Sequence, residues 1–409
     1  MITLQYLEDA PDMSQRQTEA VVNKLRTAAG QLPISHLLIG WHLPKNLRDA
    51  CRKEAERLGI RFLRWHPLLT GDSVFEPRPE WGVMGVTGHL VPGHRGMPEF
   101  TFVCPNHPEV QQAITRRMET LLQNDIYQGF FLDRVRFPSP AAHPIDQLGC
   151  FCEHCRRKAD SAGLDLGRVQ KAILDLVQTP GGVIHLATWL LGGKTDHLDT
   201  EIARCLRDFL DFRTSSVNEF VALLARPLRQ ANMEIGLDCF SPSLTGMVGQ
   251  DLGSLSAHVD WIKVMSYAHT LGPAGIPFEL LGLFDYLTTA TGENPSSILA
   301  NMSEAIGLPL PEERPALEKD GISASFLEAE LRRGVAASSI PVLAGIELVQ
   351  IEGVANLNAT QIANDLAAVR RTGVTGLSIS WDLWDIPLER LELVRRHYLV
   401  DSFQPVGGS

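Results

Sequence analysis

Long apolar segments are absent from this sequence of 409 residues. No run reaches the roughly 18 apolar residues that a membrane-spanning helix requires. The first nine residues, MITLQYLED, also lack the positive stretch and the apolar stretch that together mark a secretion signal. We therefore expect a cytoplasmic protein that has no membrane partner.

Positive charge is scarce as well. The 37 Lys and Arg residues are outnumbered by 48 Asp and Glu residues, which gives a net charge of −11. No basic stretch is interleaved with aromatic residues, although that pattern is typical of surfaces that bind nucleic acid or anionic lipid. Nucleic acid is therefore not an expected partner, whereas the acidic composition is compatible with a homo-oligomer.

Cysteine is too sparse for a disulfide framework, because the chain has only seven and no secretion signal. Three of them, Cys150, Cys152 and Cys155, lie within six residues. This C-x-C-x2-C spacing can wrap a soft tetrahedral metal ion.

A fourth ligand is needed to complete such a site. Cys104 lies just before the helix that leads into the fourth predicted strand, so we expect it to reach the same side of the fold. Four thiolates form a closed structural zinc site. The alternatives are three reduced surface thiols, or His107 or His154 as a competing ligand.

Short apolar segments alternate with longer segments of helical periodicity. Eight segments have the length and composition of buried strands, and they are 2–7, 36–42, 61–67, 129–133, 234–240, 260–269, 341–346 and 376–382. Nearly all are followed by a helical segment, which predicts an α/β fold of the (β/α)8 TIM-barrel type with long loop insertions after strands 3, 4 and 6. A doubly wound sheet is less expected, because no Gly-rich phosphate loop follows any strand.

The same pattern predicts a single catalytic barrel over residues 1–400. We expect a cysteine-containing insertion at 139–198, a helical insertion at 290–338 and a C-terminal tail at 401–409. No composition shift or linker separates a second domain.

Carboxylates and aromatic residues mark the C-terminal ends of the predicted strands, where a parallel barrel builds its active site. The fourth strand is an apolar run that ends abruptly at Asp133 and continues into Arg134 and Arg136. Asp238 and Glu347 are the carboxylates at the ends of strands 5 and 7. The side chains expected to bind a substrate are Trp41, His42, Trp65, His66, Arg136, Tyr267, His269, Trp381 and Asp382.

Carboxylates from different strands around one pit are the groups that glycoside hydrolysis uses, one as nucleophile or base and another as a proton donor. We expect Asp133 to be the nucleophile or stabilising carboxylate, because a nearby guanidinium of Arg136 favours its ionised form. Asp238 or Glu347 would then be the general acid/base. Each of these carboxylates can also serve simply as a helix N-cap or a salt-bridge partner.

Several motifs resemble known families. Cys104-Pro105-Asn106 together with residues 150–155 resembles the zinc-binding pattern of family 42 β-galactosidases, which implies a structural zinc beside the barrel. Residues 129–138 resemble the Asp-x-x-Arg-Phe-Pro signature of glycoside hydrolase-like barrels, relatives of α-amylases and chitinases. Val264-Met265-Ser266-Tyr267 and Ser380-Trp381 resemble the strand 6 and strand 8 signatures of family 18 chitinases.

The α-amylase arrangement, with a nucleophile on strand 4, an acid on strand 5 and a third carboxylate on strand 7, is similar to Asp133, Asp238 and Glu347. These resemblances imply a glycosidase that acts on an oligosaccharide or glycoside. A carbohydrate-binding barrel without catalysis is the main alternative. A metal-dependent hydrolase is less expected, because no H-x-H pair stands at the end of the first strand.

Overall fold

The computed structural model describes residues 1–7, 18–40, 43–71, 76–97, 100–123, 126–193 and 198–399. Eight parallel strands form a closed barrel in the order of the sequence. The strands are β1 (Ile2–Tyr6), β2 (His36–Ile39), β3 (Arg61–Pro67), β4 (Gly129–Asp133), β5 (Glu234–Cys239), β6 (Trp261–Met265), β7 (Val342–Glu347) and β8 (Gly376–Ser380). The predicted (β/α)8 fold is confirmed.

Helices surround the barrel and connect its strands. In the described ranges they are α1 (Thr18–Gln31), α2 (Lys45–Arg57), α3 (Pro108–Leu122), α4 (Pro144–Gln147), α5 (Glu153–Ser161), α6 (Leu166–Val177), α7 (Gly182–Leu190), α8 (Thr200–Gln230), α9 (Pro242–Val248), α10 (Leu252–Leu255), α11 (Ile276–Thr291), α12 (Pro295–Ile306), α13 (Arg314–Asp320), α14 (Ala324–Ala337), α15 (Ala359–Val369) and α16 (Leu388–His397). Within this part of the chain, none of the helices combines the length and the apolar character needed to cross a membrane.

An apolar layer packs inside the barrel. It consists of Leu38, Leu63, Trp65, Phe131, Trp261 and Leu343. The rings of Phe131 and Trp261 stack with centroids 5.2 Å apart. Glycine is required at position 236, because a Cβ there would lie 2.3 Å from the Trp261 ring. The layer therefore fills the interior of the barrel and supports the side chains at the C-terminal ends of the strands.

A polar layer follows two residues further along the same strands. The register pairs Gly236 with Trp261 and Asp238 with Lys263. On the other side of β5, Leu237 pairs with Leu132, so Asp133 and Asp238 occupy adjacent positions where β4 and β5 end. Side chains at paired positions point to the same face of a sheet. The register alone thus brings two carboxylates and an ammonium group to one end of the barrel.

A buried arginine fastens the last helix to the loop that follows β7. Arg390 on α16 donates through Nη1 to the carbonyl oxygens of Leu348 and Val349, and through Nη2 to that of Leu357. The loop is therefore held against the barrel by three hydrogen bonds from one side chain.

We predict that Arg390→Met lowers the free energy of unfolding by at least about 3 kcal/mol, because each buried carbonyl left without a donor costs about 1–3 kcal/mol. Chemical denaturation measures this loss. Arg396→Met is the matched control, since that arginine lies exposed on the same helix and bonds Glu392 at the surface. Its expected effect is below about 1 kcal/mol. Equal losses in the two variants would contradict the role given to Arg390.

Candidate active site and candidate metal centre

A cavity of about 260 Å³ lies at the C-terminal ends of the strands. Side chains from five strands and from the loops after β6, β7 and β8 line it. Among the residues predicted from the sequence, it brings together Trp65, Asp133, Arg136, Asp238, Tyr267, Trp381 and Asp382. Trp41 and His42 lie outside the described residues.

Asp133 receives two N–H donors. The indole Nε1 of Trp65 donates to Oδ2 at 3.0 Å, and the backbone N–H of Arg134 donates to Oδ1 at 2.5 Å. An ionised carboxylate accepts at both oxygens in this way. Arg134 has a φ of 55°, a left-handed conformation that residues other than glycine rarely adopt, and such conformations concentrate at functional sites.

Asp238 forms a buried ion pair with Lys263. The Lys263 Nζ lies 2.9 Å from Asp238 Oδ2, and the two side chains are 0 % and 3 % exposed. The same Nζ donates to the hydroxyl of Tyr267 at 2.7 Å and to Gln5 Oε1 at 3.1 Å, so each of its three protons has an acceptor. The other carboxylate oxygen, Asp238 Oδ1, is buried and has no hydrogen-bond partner among the residues that the structure describes.

Burial shifts the pKa values of Asp238, Lys263 and Tyr267. Burial raises the pKa of Asp238 to about 7; the Lys263 ammonium opposes that rise and the Asp133 carboxylate adds to it. Although burial lowers the pKa of Lys263, the Asp238 carboxylate holds it above its ordinary value. Burial also raises the pKa of Tyr267 to about 12. Near neutral pH, Lys263 is therefore charged, Tyr267 is neutral, and Asp238 exchanges a proton.

Arg136 lies between two aromatic rings. Its guanidinium carbon is 4.5 Å from the ring centroids of both Phe102 and Phe240. Nη1 donates to the carbonyl oxygen of Phe137 at 3.2 Å, and Nε is buried with no partner in the described part of the chain. Burial lowers the pKa of Arg136 to about 10, so the side chain remains a cation near neutral pH.

Three predicted site residues lie away from the residues that line the cavity. Glu347 is buried and accepts the backbone N–H of His269 at 2.7 Å. The His269 ring points elsewhere, with Nε2 2.9 Å from Asp365 Oδ2. His66 is fully buried against Phe130, and within the described ranges neither ring nitrogen has a hydrogen-bond partner. The structure thus separates these side chains from Asp133 and Asp238.

Sequence reasoning missed Lys263 and Gln5. Both occupy inward-facing positions on strands whose other inward side chains are largely apolar or small. A lysine in the middle of the buried run 261–265 was the available signal, since a buried charge is costly unless it is paired. The partner of such a lysine must come from a neighbouring strand, and that strand is β5.

The four predicted cysteines form one cluster. The sulfur atoms of Cys104, Cys150, Cys152 and Cys155 all lie within 4.8 Å of one another, all four residues are buried, and none forms a disulfide. Cys104 Sγ is 3.4 Å from Cys155 Sγ and 3.6 Å from Cys152 Sγ. A tetrahedral zinc with bonds of about 2.3 Å requires sulfur atoms about 3.8 Å apart. The cluster can therefore hold a metal ion.

Nearby donors suit thiolate ligands. Asn106 donates its backbone N–H to Cys104 Sγ at 3.4 Å and its Nδ2 to Cys155 Sγ at 3.3 Å. The backbone N–H of Met84 lies 3.4 Å from Cys150 Sγ. Such second contacts orient metal ligands and stabilise their charge.

Known glycosidases have a similar barrel. The catalytic domain of β-amylase from Paenibacillus polymyxa aligns with a TM-score of 0.54 at 10 % identity, over 99 % of this chain and 99 % of that chain. A β-galactosidase from Marinomonas ef1 aligns with a TM-score of 0.55 at 10 % identity, over 97 % of this chain and 59 % of that one. A β-galactosidase from the Antarctic haloarchaeon Halorubrum lacusprofundi gives a TM-score of 0.56 at 12 % identity, over 97 % and 57 %.

This chain therefore spans less than two thirds of the two β-galactosidase chains. No protein-family model and no curated protein matches the sequence. At these identities the likeness establishes a barrel fold that is shared with glycoside hydrolases.

The carboxyl of Glu347 makes stability depend on pH. Burial raises the pKa of Glu347 from 4.5 to about 7. The folded protein therefore binds an extra proton between these values. The resulting stabilisation is fully present below pH 4.5 and is lost as the pH rises through about 7.

We predict that Glu347→Gln has nearly the stability of the wild type at pH 4.5 and is more stable at pH 8, by on the order of 3 kcal/mol. The amide oxygen of glutamine can still accept the His269 N–H, which keeps the local structure. Denaturation at the two pH values measures the difference. Glu352→Gln, an exposed residue on the following loop, is the control. A variant that is equally destabilised at both pH values would contradict the prediction.

Proposed function

We propose that this protein is a glycoside hydrolase that cleaves an oligosaccharide or other glycoside in the cavity, with Asp133 and Asp238 as its catalytic carboxylates. The observation that supports this most is the contrast between two neighbouring carboxylates. Asp133 accepts two N–H donors, whereas Asp238 is buried and titrates near pH 7. Pairs of acids in such different environments divide the roles of nucleophile and proton donor.

In this proposal Asp133 is the nucleophile or stabilising carboxylate. Asp238 is the general acid/base, and its carboxyl donates the proton to the leaving oxygen. Lys263 stabilises the Asp238 carboxylate once that proton has left. Trp65 holds Asp133 in place, Tyr267 helps to hold Lys263 beside Asp238, and the half-buried Trp381 offers its ring as a platform for a sugar.

Glu347 has a different role in this account. Its carboxylate lies with His269 and Asp365 in a cluster that joins the ends of β6 and β7 to α15. Because that cluster is apart from the cavity lining, we assign Glu347 and His269 to the support of the loop after β6. Asp238 then takes the acid/base role for which the sequence offered two candidates.

We further propose that the cysteine cluster binds a structural zinc ion. Four thiolates are a typical zinc ligand set, and a site closed by four protein ligands leaves no position for a substrate. The cysteines belong to the segment before α3 and to the insertion after β4, so the metal would fix one to the other. None of them lines the cavity.

Asparagine at either catalytic position should remove activity without unfolding the protein. We expect Asp133→Asn and Asp238→Asn each to lower kcat by about 10²–10⁴-fold on any aryl glycoside or oligosaccharide that the wild type cleaves. Glu347→Gln is the control and should change kcat by no more than a few-fold. Full activity in both asparagine variants would contradict the proposal. Thermal shifts with sugars but no turnover by the wild type would favour a carbohydrate-binding protein.

The pH–rate profile should report the titration of Asp238. Because Asp238 must be protonated to donate, we expect kcat/KM to fall as the pH rises above about 7. Lys263→Met should move this descending limb to higher pH, since the ammonium lowers the pKa of Asp238 and its loss lets that pKa rise. A limb that stays in place in the variant would show that another group controls it.

Metal analysis should find one zinc ion per chain. We expect Cys104→Ser to lose the metal and to lower Tm, because structural zinc contributes directly to folding. The variant protein that remains folded should retain its kcat, since the cluster is separate from the cavity. Cys51→Ser, at a buried cysteine outside the cluster, is the control and should keep its zinc. Zinc retained at full occupancy by the Cys104 variant would contradict this assignment.

A further inference from the structure

A second cavity adjoins the first. It has a volume of about 520 Å³ and shares Phe100, Arg136 and Pro273 with the catalytic cavity. Its other walls come from the loop after β3, the segment after β4, α11, α13 and the loops after β6 and β7. Asp133 and Asp238 do not line it. The two cavities therefore adjoin at Arg136, and only the first contains the candidate catalytic carboxylates.

Most charges in the second cavity already have partners. Glu279 accepts from the Ser139 hydroxyl at 2.5 Å and from the Ala274 backbone N–H at 2.9 Å. Arg314 pairs with Asp285 and with Glu318, each at 2.6 Å. A ligand that formed an ion pair with Glu279, Arg314 or the two partners of Arg314 would have to displace these internal contacts, whereas a neutral ligand can lie against the same wall without displacing them.

Arg136 at the junction is different. Its side chain is only 5 % exposed and is fixed between the rings of Phe102 and Phe240. Yet its Nε has no partner among the described residues. Buried donors normally have acceptors, and a missing one marks a place where a ligand oxygen or water completes the bond. Arg136 lines both cavities, so a ligand that occupies both must pass this guanidinium.

Aromatic surface lies beyond the junction. The half-buried ring of Phe278 meets the ring of His94 edge-on, with centroids 5.2 Å apart, and His94 in turn meets Phe100 at 6.0 Å. Aromatic faces of this kind bind ligands that combine apolar C–H surface with polar groups. A sugar ring has both features, because its hydroxyls surround an apolar face.

We propose that the two cavities form one cleft for a neutral oligosaccharide of at least two sugar units. One end of the chain lies in the first cavity, the adjoining units lie in the second against Phe278, and Arg136 donates a hydrogen bond at the junction. Cleavage of a glycosidic bond in the first cavity rests on the proposed function. Binding of the oligosaccharide across both cavities is independent of that function.

Calorimetric titration of the inactive Asp133→Asn protein tests the cleft. The probes are neutral cello-, malto-, galacto- and N-acetylchito-oligosaccharides, from the monosaccharide to the tetrasaccharide. We expect affinity in one series to rise by at least about tenfold with chain length, an amount that corresponds to about 1.4 kcal/mol. Affinities that do not change with length in any series, or no binding at all, would overturn the proposal.

Two variants test whether the second cavity causes the rise in affinity with oligosaccharide length. Ala142 is exposed and lines only the second cavity, so Ala142→Trp should fill that space and abolish the increase with chain length. Phe278→Ala should weaken binding of the longest ligand about tenfold. Ala336→Trp, which adds the same side chain to an exposed position on α14, is the matched control. If the affinity of the Ala142→Trp variant still rose with oligosaccharide length, the longer ligands would bind outside the second cavity and the proposal would be contradicted.

The two proposals fail in different ways. Binding that depends on chain length, without turnover by the wild type, would contradict the hydrolase and support the cleft. Turnover of aryl monoglycosides by the wild type, without any gain from chain length, would support the hydrolase and contradict the cleft.

Discussion

The buried pair of Lys263 and Asp238 constrains the rest of the barrel. A charge taken out of water is tolerated only when its partners are close and well oriented, and breaking such a pair costs about 3–5 kcal/mol. Here one ammonium needs acceptors from β1, β5 and the segment after β6, so these elements must keep their register. The stacked rings of Phe131 and Trp261 beneath it leave no room for the ammonium to move inward. The pair therefore fixes the position of Asp238 in the wall of the cavity.

Other buried polar groups hold the neighbouring segments in place. The Gln250 side chain donates to the carbonyl oxygens of Val135 and Asp238, which ties the ends of β4 and β5 together. Arg213 on α8 donates to the carbonyl oxygens of Gly149, Gly246 and Met247, and so connects the segment after β4 to the segment after β5. Three cysteines of the cluster lie on that segment after β4 and the fourth lies before α3, so the cluster and these hydrogen bonds together join the segments around the ends of β4 and β5.

The fold was predictable because it depends on patterns that the sequence states directly. The run 129–133 has the same bounds as β4, and the cysteine spacing predicted the cluster. The candidate site was harder to predict. Trp65 and His66 were both expected there, but successive residues of a strand face opposite ways, so only one of them can reach the cavity. Glu347 ends its strand as expected, yet a loop N–H from His269 engages its carboxylate, and contacts of that kind cannot be read from spacing.

A crystal structure of the Asp133→Asn protein with a bound neutral oligosaccharide tests the central claim most directly. We expect one glycosidic oxygen to lie within about 2.6–3.2 Å of an oxygen of the Asp238 carboxyl, the distance that proton donation requires. The same sugar chain should continue past Arg136. A glycosidic oxygen that instead lies beside another carboxylate, with Asp238 in contact with no part of the ligand, would contradict the assignment of the acid and with it the proposed mechanism.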